Sequence, residues 1–348
     1  ENGSLDFIRG PLTIEAGGGD NQLLVSDYDS LVRDGNATIT KQSITGLAAG
    51  SITYQATGGT FDGGNLEIGV VSGSLTEFQS NDSVVIWASK HDDCITIESV
   101  LLGDTEDDPA LADLTITSLY VNEGNDTVRV NATDHAATPA HEYLRGGNPP
   151  VVVETARRLV IYTGKGRDIV DAAAADLALS IHTGAHSDMV KSGDGDDIIT
   201  AGDDDDIIFG GGGDDLVIDV GTDGQSNDVV FGDHGQVTYL GLDLSQQFTI
   251  VSTDPLTTPC FDQWPYLYSW YNSAVEFSSL TGSSEPDATA ALSDEDTVYL
   301  DSGTNLIIAG PGDDVVKSFG GYNTVLGDDG QVVITRDSGT AVSTRTTI

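Results

Sequence analysis

The aspartates between Thr183 and Ile218 recur with a period that bears directly on chemistry. Read in nines, the segment gives T-G-A-H-S-D-M-V-K, S-G-D-G-D-D-I-I-T, A-G-D-D-D-D-I-I-F and G-G-G-G-D-D-L-V-I. Every sixth place is an acid: Asp188, Asp197, Asp206 and Asp215. Every second place is a glycine, and every eighth is aliphatic (Val190, Ile199, Ile208, Val217). Carboxylates repeated at one place in a regular backbone stack into a column of like charge. Such a column needs a partner, because unit charges about 4 Å apart repel by roughly 1 kcal/mol in water and by more where desolvated. A hard cation with oxygen ligands answers this. Calcium accepts about 6–8 oxygens from carboxylates and backbone carbonyls, whereas magnesium prefers a small octahedron and keeps its water. The sequence therefore predicts calcium ions held between stacked turns.

The elements that position such a column follow from the two halves of each unit. The Gly/Asp half turns tightly, since glycine accepts positive φ. The D-x-U-x half (U, aliphatic) is short and extended and turns one aliphatic side chain inward. One unit cannot bury that side chain, but stacked units can. The expected fold is all-β, a right-handed parallel β-solenoid (β-helix or β-roll) with loop insertions. Two units make one coil, so Asp188 should lie near Asp206 and Asp197 near Asp215. The candidate metal ligands are Asp168, Asp188, Asp197, Asp206, Asp215, Asp228, Asp296 and Asp314, with the turn residues Gly193, Asp194, Gly195, Gly202, Asp204, Gly211 and Gly213.

These units resemble the hemolysin-type, or RTX, calcium-binding nonapeptide repeat, G-G-x-G-x-D-x-U-x. The clean matches run from Ser192 to Ile218, and His186 stands where a glycine is expected. The resemblance implies a parallel β-roll that folds when calcium binds. It also implies the alternative that the segment is a secretion-type repeat domain of a larger exported toxin or enzyme.

Four regions are expected. Residues 1–162 read as a degenerate solenoid of short β runs, with Asn21, Asp82 and Asp126 at sixth places; Gly103 to Pro109 is an acidic loop and His135 to Pro150 a polar excursion. Residues 163–240 carry the calcium-binding repeats, starting at Thr163-Gly-Lys-Gly-Arg-Asp, with residues 172–182 as a long half-coil in which Ala172 to Leu179 reads as a bulged strand rather than a helical turn. Residues 241–290 are an aromatic-rich insertion (Phe261, Trp264, Tyr266, Tyr268, Trp270, Tyr271, Phe277), either a lid over the wall or a contact surface for another subunit or a glycan. Residues 291–348 hold a second run of units and a terminal strand, with Asp296 over Asp314 and Asn305 over Asn323. Gly327-Asp-Asp-Gly-Gln-Val echoes Gly232-Asp-His-Gly-Gln-Val, an internal duplication.

Composition narrows the function. Of the 348 residues 56 are acidic and 14 basic, a net charge of −42, which argues against direct binding of nucleic acid or anionic lipid. No apolar run approaches the ~20 residues of a membrane helix. Asn2, Asn36, Asn81, Asn125 and Asn131 lie in glycosylation sequons, a hint of a glycoprotein. Cys94 and Cys260 either pair or stay as buried thiols. His182, His186 and Asp188 lie close together, but no G-x-S-x-G elbow or H-E-x-x-H motif occurs, and Asp pairs repeated at fixed spacing fit metal ligation better than glycoside hydrolysis. The expectation is no enzyme but an extracellular, calcium-stabilised structural or adhesive protein, a building block of a surface filament or matrix that associates with copies of itself and with glycans. A polysaccharide-active β-helix enzyme is the other reading; the scarcity of Lys and Arg speaks against it. Neither end shows an obvious cap, and an open strand edge invites stacking.

Overall fold

The computed structural model describes residues 3–61, 69–71, 74–76, 84–101, 116–133, 143–145, 151–153, 159–219, 226–240, 247–252, 275–279, 295–328, 331–336 and 342–347. Among these every regular element is a strand. Two parallel walls run through the described chain. The first stacks Leu23–Ser26, Val84–Trp87, Thr117–Tyr120, Leu159–Lys165, Leu179–Ala185, Ile198–Asp203 and Leu216–Asp219 in that order. The second stacks Ala37–Thr40, Cys94–Ile97, Thr127–Val130, Ile169–Asp171, Met189–Lys191, Ile207–Phe209 and Val229–Phe231. Thr297–Ile308 and Val315–Leu326 are long enough to run through both walls and complete the stack. The walls join there because one strand serves both; the architecture is an all-β solenoid, not a barrel.

The register is that of a repeat. Ile181 pairs with Ile199, and Met189 with Ile207, each 18 residues on. Leu159 pairs with Leu179 at 20 residues, the long coil expected from Asp168 to Asp188. The two extra residues are absorbed in a turn closed by Ala175 N–H donating to Ala172 O (2.7 Å), in place of the bulged strand expected over Ala172 to Leu179. At the other end, Leu5 to Ile8, which reads as strand, is a turn closed by Ile8 N–H to Leu5 O (2.9 Å).

The eighth-place side chains Val190, Ile199, Ile208 and Val217 are fully buried in one continuous core that runs from Leu23 to Ile307. Over the middle rungs the outer faces of the walls are buried too, which a solvated solenoid would not require. Outside the second wall, Met189, Ile207, Phe209 and Phe231 form an apolar layer with Val237 and Val332. Those last two come from Gly235–Leu240 and Gln331–Arg336. Both lie in a separate antiparallel sheet, in the order Gln247–Ser252, Gly235–Leu240, Val275–Ser279, Gln331–Arg336, Val342–Thr347. The duplicated G-Q-V segments are therefore strands of one covering sheet, separated by Val275–Ser279. The aromatic stretch from Phe261 to Tyr271, the acidic loop at 103–109 and Asp82 lie outside the described residues.

In-register stacking also aligns rings along the first wall. Trp87, Tyr120, Tyr162 and His182 form a column with centroid separations of 5.6, 4.6 and 4.8 Å, close to the 4.7–4.9 Å spacing of adjacent strands. Cys94, buried at the start of the second wall's second rung, is disulfide-bonded; the chain's only other cysteine is Cys260.

Candidate metal centre

The sixth-place acids stand immediately before the strands, where the chain turns from one wall to the other. On the edge leading into the second wall their carboxylates form a relay. Each Oδ1 accepts the backbone N–H of the acid one rung earlier: Asp34 to Asp93 (2.6 Å), Asp93 to Asp126 (2.7 Å), Asp126 to Asp168 (2.8 Å), Asp168 to Asp188 (2.8 Å), Asp188 to Asp206 (2.7 Å), Asp206 to Asp228 (3.2 Å) and Asp228 to Asn305 (3.1 Å). On the opposite edge the relay runs from Leu179 N–H to Asp197 (2.6 Å), Asp197 to Asp215 (2.8 Å), Asp215 to Asp296 (2.9 Å) and Asp296 to Asp314 (3.1 Å). The expected neighbours, Asp188 with Asp206 and Asp197 with Asp215, are brought together on separate edges.

The fifth place carries a second relay that the repeat pattern does not announce. Here the N–H points the other way, to a side chain of the earlier rung: Asn125 to Asp92 (2.8 Å), Arg167 to Asn125 (2.9 Å), Asp214 to Asp196 (3.1 Å), Asn227 to Asp205 (2.9 Å), Glu295 to Asp214 (2.9 Å) and Thr304 to Asn227 (3.1 Å). The paired acids of D-D therefore have different tasks, one reaching forward along the chain and one back. The short polar side chains of Asp and Asn suit this bonding of local backbone.

The turns that carry the acids are tight. In three of the four units the second and fourth places take left-handed backbone: Gly184 with His186, Gly202 with Asp204, Gly211 with Gly213. His186 and Asp204, with φ of 83° and 78°, hold a conformation that glycine takes at little cost and other residues do not. At Gly202 the reason is also steric, since a Cβ there would sit 2.1 Å from the Gly184 carbonyl oxygen of the rung below. Asp194 and Asp204 project to solvent, whereas Gly193, Gly195 and Gly211 are buried in the turns.

The second carboxylate oxygens show what the relay leaves undone. The Oδ2 atoms of Asp126, Asp168, Asp188, Asp206, Asp215, Asp228 and Asp314 are buried and receive no hydrogen bond. Burying an anionic oxygen without a donor or cation is costly. Burial raises the pKa of each of these groups. It lifts Asp168 to about 6, Asp228 to about 7 and Asp126 to about 10; Asp168 adds like-charge repulsion at Asp126. Asp188, Asp206 and Asp215 are driven well above the ordinary aspartate range by burial and then by neighbouring carboxylates. Two acids escape. Asp93 Oδ2 accepts from Ser89 N–H (3.0 Å) and Ser89 Oγ–H (2.9 Å), and Asp197 Oδ2 accepts from Ser192 Oγ–H and Gly193 N–H. At these two turns a serine hydroxyl supplies what is missing at the others. Orphaned anionic oxygens in a hard-oxygen environment fit calcium. The stacked Asn pair differs: Asn323 sits in register with Asn305, yet its amide donates to Ser318 Oγ (2.9 Å) and Gly320 O (3.0 Å), not to its neighbour.

A family model of the RTX calcium-binding nonapeptide repeat matches residues 182–217 and 292–334, with four copies. The chain carries RTX repeats. These are calcium-binding motifs, and they typify secreted proteins. The two matched stretches contain all four acids of the opposite edge, Asp197, Asp215, Asp296 and Asp314, but only Asp188, Asp206 and Asn305 of the edge leading into the second wall. The rungs before them, with Asp34, Asp93, Asp126 and Asp168, extend the same hydrogen-bond geometry beyond the RTX matches. No curated protein matches the chain. Of the histidines near Asp188, His182 lies in Leu179–Ala185, stacked on Tyr162 with Nε2 3.1 Å from Ser180 Oγ; burial lowers its pKa to about 4. His186 is exposed in the turn.

Proposed function

We propose that this chain is a calcium-dependent structural solenoid of an exported protein, displayed at a cell surface or in an extracellular matrix. The observation that supports this is the line of donorless Oδ2 atoms along both edges. With a cation the acids become cross-links between rungs; without one they are buried repelling charges. Outside the cell calcium reaches the concentrations at which modest sites fill, so the fold would form after export. Asp168, Asp188, Asp206, Asp215, Asp228, Asp296 and Asp314 would supply carboxylates, and the turn carbonyls the remaining oxygens. The last rung supports association with further copies. Among the described residues Val315–Leu326 pairs on one side only, with Phe319 and Tyr322 exposed. Hydrogen exchange with and without a chelator tests the reading: calcium removal should abolish amide protection over 163–231, and unchanged exchange there would refute it.

The RTX match also favours a second reading, a secretion-type repeat domain of a larger exported toxin or enzyme. A hydrolase or pore-forming domain in the same open reading frame would decide for it.

A further inference from the structure

The turn after Ile218 departs from the repeat. Thr183, Ser192, Ala201 and Gly210 hold the first place of their units, but Asp219 holds it here. Counting on from Ile199 opposite Val217, Asp219 lies above Ala201, in the column that begins with Thr163 and Thr183. In the lower rungs those threonines donate to carbonyls one rung up, Thr163 Oγ–H to Thr183 O (3.1 Å) and Thr183 Oγ–H to Ala201 O (3.0 Å). Ala201, with no hydroxyl, breaks that series. Asp219 fills the rung above with a carboxylate.

Three carboxylates converge there. Asp206, Asp219 and Asp228 each place an oxygen within 4.8 Å of the other two. Their exposures are 1%, 0% and 0%, far below what isolated acids tolerate. One oxygen of each is already held: Asp206 Oδ1 by Asp188 N–H (2.7 Å), Asp219 Oδ1 by Gly202 N–H (3.1 Å) and Asp228 Oδ1 by Asp206 N–H (3.2 Å). The other oxygen of each, Oδ2, is buried with no donor. Backbone hydrogen bonds thus fix the orientation of three clustered anionic groups, each with a second oxygen left without a donor. Nearby, Ser226 Oγ–H donates to Asp301 Oδ1 (2.8 Å), so a fourth carboxylate from the next rung stands behind the cluster.

We propose that Asp206, Asp219 and Asp228 form a dedicated calcium site that the RTX repeat does not encode, with Asp219 as the recruited ligand. Two of its acids belong to the relay and the third comes from a place the repeat gives to small or neutral residues. The separations suit a cation with ligands at about 2.3–2.6 Å, and three carboxylates give a higher charge count than a repeat turn, which raises calcium affinity. The proposal rests on the reading that the chain binds calcium. The test is the calcium content of the full chain, measured by mass spectrometry of the metal after desalting, for the unaltered protein and for Asp219→Thr, which restores the residue of the lower rungs. The expected result is one calcium per chain fewer in D219T. Equal contents would overturn the site while leaving the proposed function intact; no calcium in the unaltered protein would overturn both. A crystal of the unaltered chain soaked with terbium gives a second readout that does not depend on the variant folding. Anomalous density among the three carboxylates supports the site, and density along the edges with none here refutes it.

Discussion

Protons should be able to do part of calcium's work. The perturbation is removal of calcium by a chelator, followed by a pH series from 8 to 5. Asp168 and Asp228 are lifted from the ordinary 3.8 to about 6 and about 7, mainly by burial. Each pKa unit corresponds to about 1.36 kcal/mol, so holding these two ionised in the calcium-free fold costs on the order of 3 and 4 kcal/mol. That sum is comparable with the whole stability of a typical domain, roughly 5–15 kcal/mol. The sign follows from linkage. These groups bind protons more tightly folded than unfolded, so folding takes protons up. Their contribution is fully present below the unfolded pKa and is lost as pH rises through the folded values. Calcium-free protein should therefore be largely unfolded at pH 8 and regain β-structure on acidification towards pH 5, followed by circular dichroism and by urea midpoints. Salt at about 1 M, which reduces the Debye length to roughly 3 Å, should leave the effect in place if buried groups cause it. With saturating calcium the dependence should reverse, since protons then compete with the ion. Calcium-free stability that is flat or rises from pH 5 to 8 would refute the reasoning.

Substitution at Asp188 separates charge from hydrogen bonding. Asn305 shows that an amide can occupy a relay position, accepting Asp228 N–H at 3.1 Å; Asp188→Asn should therefore weaken calcium binding in titration calorimetry and stabilise the calcium-free fold. Asp188→Ala also strips the acceptor from Asp168 N–H, and should cost a further ~1–3 kcal/mol in denaturant unfolding with calcium present. Gly202→Ala places a Cβ 2.1 Å from Gly184 O on a backbone with φ of 115°, and should lower stability by roughly 1–3 kcal/mol for the strained backbone alone, read from the urea midpoint.

Much of the architecture was legible because one place of the repeat encodes it. The sixth-place acids give the edges, the eighth-place aliphatics give the interior, and the spacing of 18 gives the rung, so Asp188 over Asp206 and Val190 beneath Ile208 follow from counting. What counting could not reach falls into three kinds. The fifth-place relay was hidden because Asp196, Asp205 and Asp214 look like a second copy of the sixth-place acid, whereas their opposite hydrogen-bond sense depends on backbone direction. The covering sheet was hidden because Phe209, Phe231, Val237 and Val332 reveal no partner until two distant segments meet. Asp219 was passed over because it stands outside the motif; its signal was an acid in the place held by Thr183 and Ala201. The stack also continues through rungs that have lost the nonapeptide. At Asp93 the chain keeps the relay but the Ser89 hydroxyl satisfies the oxygen that is orphaned elsewhere, and no fixed spacing marks that exchange.

The opposed senses of the two relays bear on how the molecule responds to force. A stack clasped in one sense only would peel more readily from one terminus than from the other. Here, tugging on either end must open a clasp supplied by the rung being removed and another supplied by the rung that stays. Resistance should accordingly be alike in both pulling directions.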